Sequence, residues 1–285
     1  MLFGLNLDPN ADTLERTLAM ARLADESGFD LVGCQDHPYQ RRFLDTWTLL
    51  AVLAARTRRV RLFPDVANLP LRPPAMLAKQ AASLDVISGG RVELGLGAGG
   101  FWEAVEAMGG PRRSPGEALA ALEEAIEVIR LMWSGEPSVR YQGQHYRLAG
   151  VKPGPPPPHE MQIWVGGYGP RMLELIGRRA DGWVPSFGRL AGEDFDGRLR
   201  TFADKHRRMR EAAAAAGRDP ARLRTVVNVG GMVDGGGSEA FTGSPERWRD
   251  ELGQLEEAGA DGVVFWPADD HLRQAERFAA ALVAG

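Results

Sequence analysis

The tripeptide Asp36-His37-Pro38 stands directly after the apolar run Leu31–Cys34. An imidazole titrates near neutrality, so a histidine at a strand end can pass a proton or hold a hydrogen-bonded pose over a ligand. An isolated Asp-His pair reads by default as a surface histidine bonded by its neighbour; only its placement tips it toward chemistry. A second segment, Gly95-Leu-Gly-Ala-Gly-Gly100, lets the backbone pass close under a flat or phosphorylated ligand, although glycines also serve tight corners. It is not the dinucleotide fingerprint, because no helix opens within it. A third, Ile163-Trp-Val-Gly-Gly-Tyr-Gly-Pro170, runs from a strand through glycines into a proline that starts a helix. There the N–H groups of Gly169, Arg171 and Met172 can converge on an anion, with phosphate the natural guest and an ordinary tight turn the alternative. The remaining histidines, His145, His159, His206 and His271, show no metal-ligand spacing, and no metal is expected.

What must position these segments is legible as an alternation. Short apolar runs precede helix-periodic stretches eight times: Leu2–Asn6 with Thr13–Ser27, Leu31–Cys34 with Thr46–Thr57, Val60–Val66 with Pro73–Ile87, and Val92–Leu96 with Glu117–Trp133. The series resumes with Gln162–Val165 and Arg171–Arg179, Gly182–Pro185 and Asp194–Ala216, Leu223–Val229 and Pro245–Ala258, and Gly262–Phe265 and Leu272–Val283. Strands alternating with helices imply parallel pairing and right-handed crossovers, and eight units predict a closed α/β (β/α)8 TIM barrel, one domain over residues 1–285. In such a barrel the loops after the strands form the mouth, which is where all three segments fall. Gly28, Gly89 and Gly259 sit where left-handed helix caps are wanted, Ser244-Pro245 sets an N-cap, and Glu246 and Glu251 complement the dipole of the helix that follows.

Two stretches break the rhythm. Ser138–Leu148 alternates around Gln142-Gly143 and predicts a β-hairpin that runs into the proline-rich Lys152–Pro158, an insertion between units four and five. Asp234–Gly243, with three consecutive glycines, reads as a flexible loop over the mouth, idle or acting as a lid.

Composition narrows the function classes. A net charge of −4 and a pI near 5.8 give no global basic surface, which counts against nucleic acid. The lone Cys34 excludes an intramolecular disulfide framework, and no basic-then-apolar leader or bilayer-length apolar run is present, so a cytoplasmic protein without membrane insertion is expected.

Taken in order, Asp36-His37, Leu71–Arg91, Leu94–Gly99, Trp164–Pro170 with Ala180–Trp183, and Gly243–Glu246 with Ala258–Phe265 resemble the luciferase-like monooxygenase superfamily over essentially the whole chain. The resemblance implies an oxidoreductase barrel with FMN or the deazaflavin coenzyme F-420 at its mouth, a small-molecule substrate, and a homodimer. It implies cofactor contacts from Asp36, Asp65, Val66, Gly97, Ala98, Gly99, Gly166, Gly167, Gly169, Arg171 and Met172. Members similar to the methylene-tetrahydromethanopterin reductases carry an Asp-His pair after strand two, and a non-prolyl cis peptide under the cofactor ring that falls here on Asp65-Val66. His37 is then the proton donor, or the group that orients the ring, with Glu103 next in line. FMN-using relatives often bring a cation from the fourth-strand loop; Ala98-Gly99-Gly100 offers none, which favours the deazaflavin and hydride transfer. An FMN monooxygenase fed by a flavin reductase, and a barrel that binds flavin without turnover, are the alternatives. The acidic residue of the sugar-phosphate dehydrogenases maps onto Gly100, which counts against sugar-phosphate chemistry. Phe101, Trp102 and Trp47 are candidate walls of a substrate pocket, and Asp85 and Arg91 are expected to pair around the Ser88-Gly-Gly turn.

Overall fold

Each apolar run becomes one parallel stave. The computed structural model describes residues 1–283; the last two residues of the expected 1–285 domain lie outside it. In chain order the elements are β1 (Leu2–Leu7), α1 (Leu14–Glu26), β2 (Leu31–Cys34), α2 (Thr46–Arg56), β3 (Arg61–Pro64), β4 (Ala67–Asn68), α3 (Pro74–Ser88), β5 (Leu94–Gly97), α4 (Trp102–Ala107) and α5 (Pro115–Trp133). Then follow β6 (Val139–Gln142), β7 (Arg147–Val151), β8 (Ile163–Gly166), α6 (Pro170–Arg179), β9 (Gly182–Trp183), α7 (Phe195–Ala215), β10 (Arg224–Val233), β11 (Thr242–Gly243), α8 (Pro245–Glu257), β12 (Gly262–Pro267) and α9 (His271–Phe278).

Around the barrel the order is β3-β2-β1-β12-β10-β9-β8-β5-β4. Strands β3 and β4 are two pieces of one stave: β3 pairs with β2, while Leu62 bridges Val92 and β4 pairs with β5 through Ala67↔Leu96. The ring therefore closes on itself with every stave parallel to its neighbours, as the eight-unit alternation predicts. The break in the divided stave is the Asp65–Val66 peptide, which is cis.

Two apolar layers hold the ring. Leu31, Phe63, Trp164, Val184, Val226 and Val264 pack together as one buried cluster contributed by successive staves, with the Phe63 and Trp164 rings edge-on at 5.4 Å. These side chains fill the barrel as a solid plug. The larger cluster lies between staves and helices and includes Trp47, Trp183, Trp248 and Phe278. At about 25 cal/mol per Å² of apolar surface removed from water, these layers supply the main drive for closure.

Helix starts carry the expected caps, with Asp45 accepting from the Thr48 N–H, Ser114 and Glu117 forming a capping box, and Ser244 accepting from Arg247. Gly28, Gly89 and Gly259 have φ of 87°, 75° and 110°.

Three expectations need correction. Asp85 and Arg91 do not pair: the buried Asp85 accepts from the Val92 N–H at 3.0 Å and bonds His159 Nδ1 at 2.8 Å. Arg91 instead spreads its donors over the carbonyls of Ala54, Thr57, Val60 and Ser88 and the Thr57 hydroxyl, which together saturate its planar fork. Glu251 lies beyond the first turn of α8 and is buried, where it accepts from the Phe241 N–H and from Arg247 Nε. The 234–243 segment is accordingly not a slack loop. β11 pairs with β10, Phe241 is buried against Phe187 and Trp248, and Arg247 reaches back to three of its carbonyls.

Strands β6 and β7 pair antiparallel between α5 and β8, with Gln142 opposite Arg147 as the last pair. Glu124 of α5 accepts from the N–H groups of Gln144, His145 and Tyr146, so the turn falls on Gln144-His145, two residues later than Gln142-Gly143, and is pinned to a helix.

Candidate active site

At the carboxyl ends of the staves lies a cavity of about 600 Å³, walled by side chains from the ends of β2, the divided stave, β5, β8, β9, β10 and β12. A hollow of about 530 Å³ at the opposite end, around Leu2, His206 and Gly259, lies where barrel enzymes do not carry chemistry.

The floor of the mouth cavity is Val66. A Cβ added at Gly97 would come within 2.9 Å of a Val66 methyl, and one added at Gly166 within 3.3 Å, so bare backbone at both strand ends lets the valine stand between them. Gly99, at φ 106°, is pressed against Pro70 and Trp102. Beneath the floor Asp65 is buried, accepting from Asn6 at 3.1 Å and from Asn228 at 3.2 Å, while Trp266 Nε1 donates to Asn228 Oδ1 at 2.6 Å. Burial pushes the Asp65 carboxyl up to about 6, although both amide donors pull the other way.

At the rim, His37 Nδ1 lies 2.6 Å from the Tyr39 hydroxyl, and the Phe101 ring stands edge-on to the imidazole at 5.7 Å. Its Nε2 makes no hydrogen bond to the described residues. Burial lowers the His37 pKa below its ordinary 6.5; Arg189 works in the same direction and Asp36 against it. The imidazole therefore rests neutral at pH 7. Burial lifts the Tyr39 phenol up to about 12, so it stays protonated beside the ring.

Asp36 does not bond its histidine neighbour. Its fully buried carboxylate takes a bidentate pair from Arg72, at 2.7 and 2.8 Å, and the N–H of Asn68 at 2.9 Å. Arg72 continues to Asp45 at 2.6 Å, tying the β2 end to the divided stave and to the start of α2. Desolvation opposes the Arg72 charge, but the two carboxylates outweigh it and raise its pKa.

The structure thus brings together, of the residues singled out in the sequence, Asp36, His37, Asp65, Val66, Gly97, Ala98, Gly99, Gly166, Gly167 and Met172. Gly169 and Arg171 stand outside the wall, at the opening of α6, where no side chain caps the helix and Arg171 is exposed. Glu103 is not in the cavity; it is exposed and paired with Arg112 at 2.8 Å. Of the three aromatics, Phe101 lines the cavity, Trp47 is core, and Trp102 packs under Gly99. Tyr39, Asn68, Tyr168, Arg189, Asn228 and Trp266 also line it, and sequence reasoning passed over them. The signal for Asn228, and for Asn6 behind it, is an amide within an otherwise apolar stave.

A tricyclic ring fits this shape: a flat valine floor, bare strand ends on two sides, and a volume inside the usual range of small-molecule sites. Residues 2–240 match the family described as luciferase-like monooxygenase. The chain belongs to that family. It is 32% identical over 246 residues to the 5,10-methylenetetrahydromethanopterin reductase of Archaeoglobus fulgidus, covering 82% of this chain and 71% of the reductase. It is 32% identical over 269 residues to the F420-dependent hydroxymycolic acid dehydrogenase of Mycobacterium tuberculosis, covering 89% and 68%. An F420-dependent secondary alcohol dehydrogenase, solved with an F420-acetone adduct, superposes with a TM-score of 0.86 at 19% identity over 99% of this chain and 98% of its own. The family and these relatives make the protein an oxidoreductase. Among the described residues no helix is long and apolar enough to cross a membrane.

Proposed function

We propose that this protein is a coenzyme F-420-dependent oxidoreductase acting on a small alcohol or ketone, with His37 exchanging the substrate's hydroxyl proton. The observation that carries this reading is the neutral imidazole at the cavity rim, held through Nδ1 by Tyr39, with Nε2 left unbonded by the described residues. When bound, the deazaflavin supplies hydride transfer, since it has carbon where a flavin has N5. Val66 supports the ring from below, Gly97 to Gly99 and Gly166 to Gly167 line its edges with backbone, and the N–H groups of Arg171 and Met172 at the start of α6 take the phosphate. Asp36 is a positioning residue: through Arg72 and Asn68 it fixes the two strand ends between which the ring lies. In alcohol oxidation His37 accepts the hydroxyl proton at Nε2, and in ketone reduction it returns it. One F420-dependent relative is named a hydroxymycolic acid dehydrogenase, which supports this reading, and the lack of a cation in the Ala98–Gly100 segment agrees with it.

The test is titration of cofactor-free protein with F-420 and with FMN, followed by turnover with secondary alcohols. Tighter F-420 binding and alcohol-dependent reduction of F-420 are expected; preferential FMN binding with oxygen consumption would replace this reading by a monooxygenase fed by a reductase. Because the folded His37 pKa is lowered, kcat/KM for alcohol oxidation should stay flat above pH 6.5 and fall only below it, as protonation removes the base.

The same proposal extends to the assembly. Met76, Val86 and Ile87 on α3 and Val52 on α2 are exposed apolar side chains on adjoining helices, which suits a homodimer of barrel domains. Light scattering at twice the chain mass is the expected result. A buried, unpaired Cys34 suits a reducing cytoplasm.

A further inference from the structure

Beside the cofactor cavity lies a second hollow, of about 670 Å³, between the segment that follows β9, the first turn of α7, and the 234–243 strap. Ser186, Asn228 and Trp266 line both spaces, so the two hollows adjoin across these residues. Its walls include the rings of Phe187, Phe195 and Trp266. Inside it stands one cation, Arg198.

That arginine differs from Arg72 and Arg91. Arg72 and Arg91 have their guanidinium donors engaged by carboxylates or carbonyls. Arg198 Nε is buried without a hydrogen-bond partner, and among the described residues the guanidinium makes no ion pair. Asp194, one turn earlier, does not serve it, because its Oδ1 caps α7 by accepting from Gly197 at 2.8 Å. A guanidinium on the wall of a hollow, with none of its donors bonded among the described residues, calls for an acceptor, and the fork geometry of arginine matches a planar oxyanion. Glu193, Asp194 and Glu239 are exposed on the same hollow, so its rim is negative. A rim of that sign admits a single negative charge more readily than two.

We infer that this hollow is the substrate's compartment and that Arg198 selects a substrate bearing one carboxylate on an apolar stem: an oxo- or hydroxy-carboxylic acid. The carboxylate seats on Arg198, the stem lies along Phe187 and Phe195, and the carbonyl end reaches past Trp266 toward His37. This rests on the oxidoreductase reading above, which it deepens by naming a substrate class.

The experiment uses full-length protein loaded with F-420, titrated by calorimetry with a chain-length series of oxo-acids including 4-oxopentanoate, each against its neutral hydroxy-ketone counterpart and against dihydroxyacetone phosphate. The best acid should bind about tenfold or more tighter than its neutral counterpart, the scale of one charge-assisted pair. Arg198→Met should erase that preference while the neutral ketone's affinity changes far less, and Arg198→Lys should restore part of it. The inference is overturned if no acid in the series outbinds its neutral partner, if Arg198→Met keeps the preference, or if the phosphate ester binds best. The same titration without cofactor separates the two readings. If the protein takes up neither F-420 nor FMN, the F-420-dependent reading fails, while an Arg198-dependent preference for the acid still supports the compartment and its absence still rejects it.

Discussion

Two aspartate–histidine sets occupy opposite ends of this barrel, and they are wired differently. At the amino ends of the staves Asp85 bonds His159 directly, at 2.8 Å, and also holds the Val92 N–H; Glu93 stands 3.5 Å from the other ring nitrogen. At the mouth the adjacent Asp36 and His37 avoid each other: the carboxylate goes to Arg72, and the imidazole is left with a phenol. A carboxylate bonded to a histidine fixes the orientation of its ring. Without that bond, burial keeps the mouth histidine neutral, with one nitrogen unclaimed by the described residues. Sequence adjacency is thus the wrong guide to partnership, and the pair that looks like a couple in the chain is divided in space so that one member can work.

The comparison breaks most visibly at His37. His37→Asn should lower saturated turnover by roughly 10²–10⁴-fold with cofactor affinity within a small factor, the usual reach of acid–base catalysis. A loss of cofactor affinity without loss of saturated turnover would mean that the ring only orients the ligand. Next in size is Asp36→Asn, which leaves Arg72 half-paired in a largely buried site. A destabilisation of about 3–5 kcal/mol in denaturant unfolding is expected, with the folded remainder binding cofactor weakly.

Asp65, served by amides alone, sharpens the contrast through pH. The folded protein holds its proton more tightly than an unfolded chain, in which the carboxyl titrates near 3.8. Its contribution to stability is therefore fully present below that value and is lost as the pH rises toward about 6. Asp65→Asn should remove this slope and leave the variant more stable at pH 7.5, by on the order of 3 kcal/mol, in melts compared across pH. An unchanged slope between pH 4 and 6 would show that the carboxylate stays ionised between its two asparagines. The smallest effect belongs to the far pair. His159→Leu should cost about 1–3 kcal/mol, from one oxygen of Asp85 left unserved, and should not alter kcat/KM. A matching fall in activity would mean that the two ends are coupled.

Periodicity made the eight staves readable, because a buried parallel strand must be apolar and a crossover helix must be amphipathic. Placement of Asp36-His37 at the mouth followed from that alone. What the chain did not disclose is pairing across it. Arg72 lies 36 positions from Asp36, and nothing local marks the partnership. Trp47 and Phe101 both stand near strand ends, but Trp47 falls on the inward face of α2, a matter of helical phase. The short α4 was hidden because six residues give too little periodic signal, and Glu103 on it turned outward to Arg112. Arg189 follows a two-residue stave, and Arg198 opens a long polar helix; neither local pattern differs from a solvated surface.

The fastening of the 234–243 strap has a consequence for how this barrel can change. Arg247 grips the carbonyl oxygens of Gly237, Ser238 and Glu239, and Glu251 takes the N–H of Phe241. All of these grips are on main chain. The buckle is therefore blind to the identity of the side chains at positions 238 to 240, which face the hollow beside the cofactor cavity. Those three positions are open to replacement without loosening the strap, so inheritance or laboratory diversification can reshape what the hollow admits while the staves, and the chemistry they position, stay as they are.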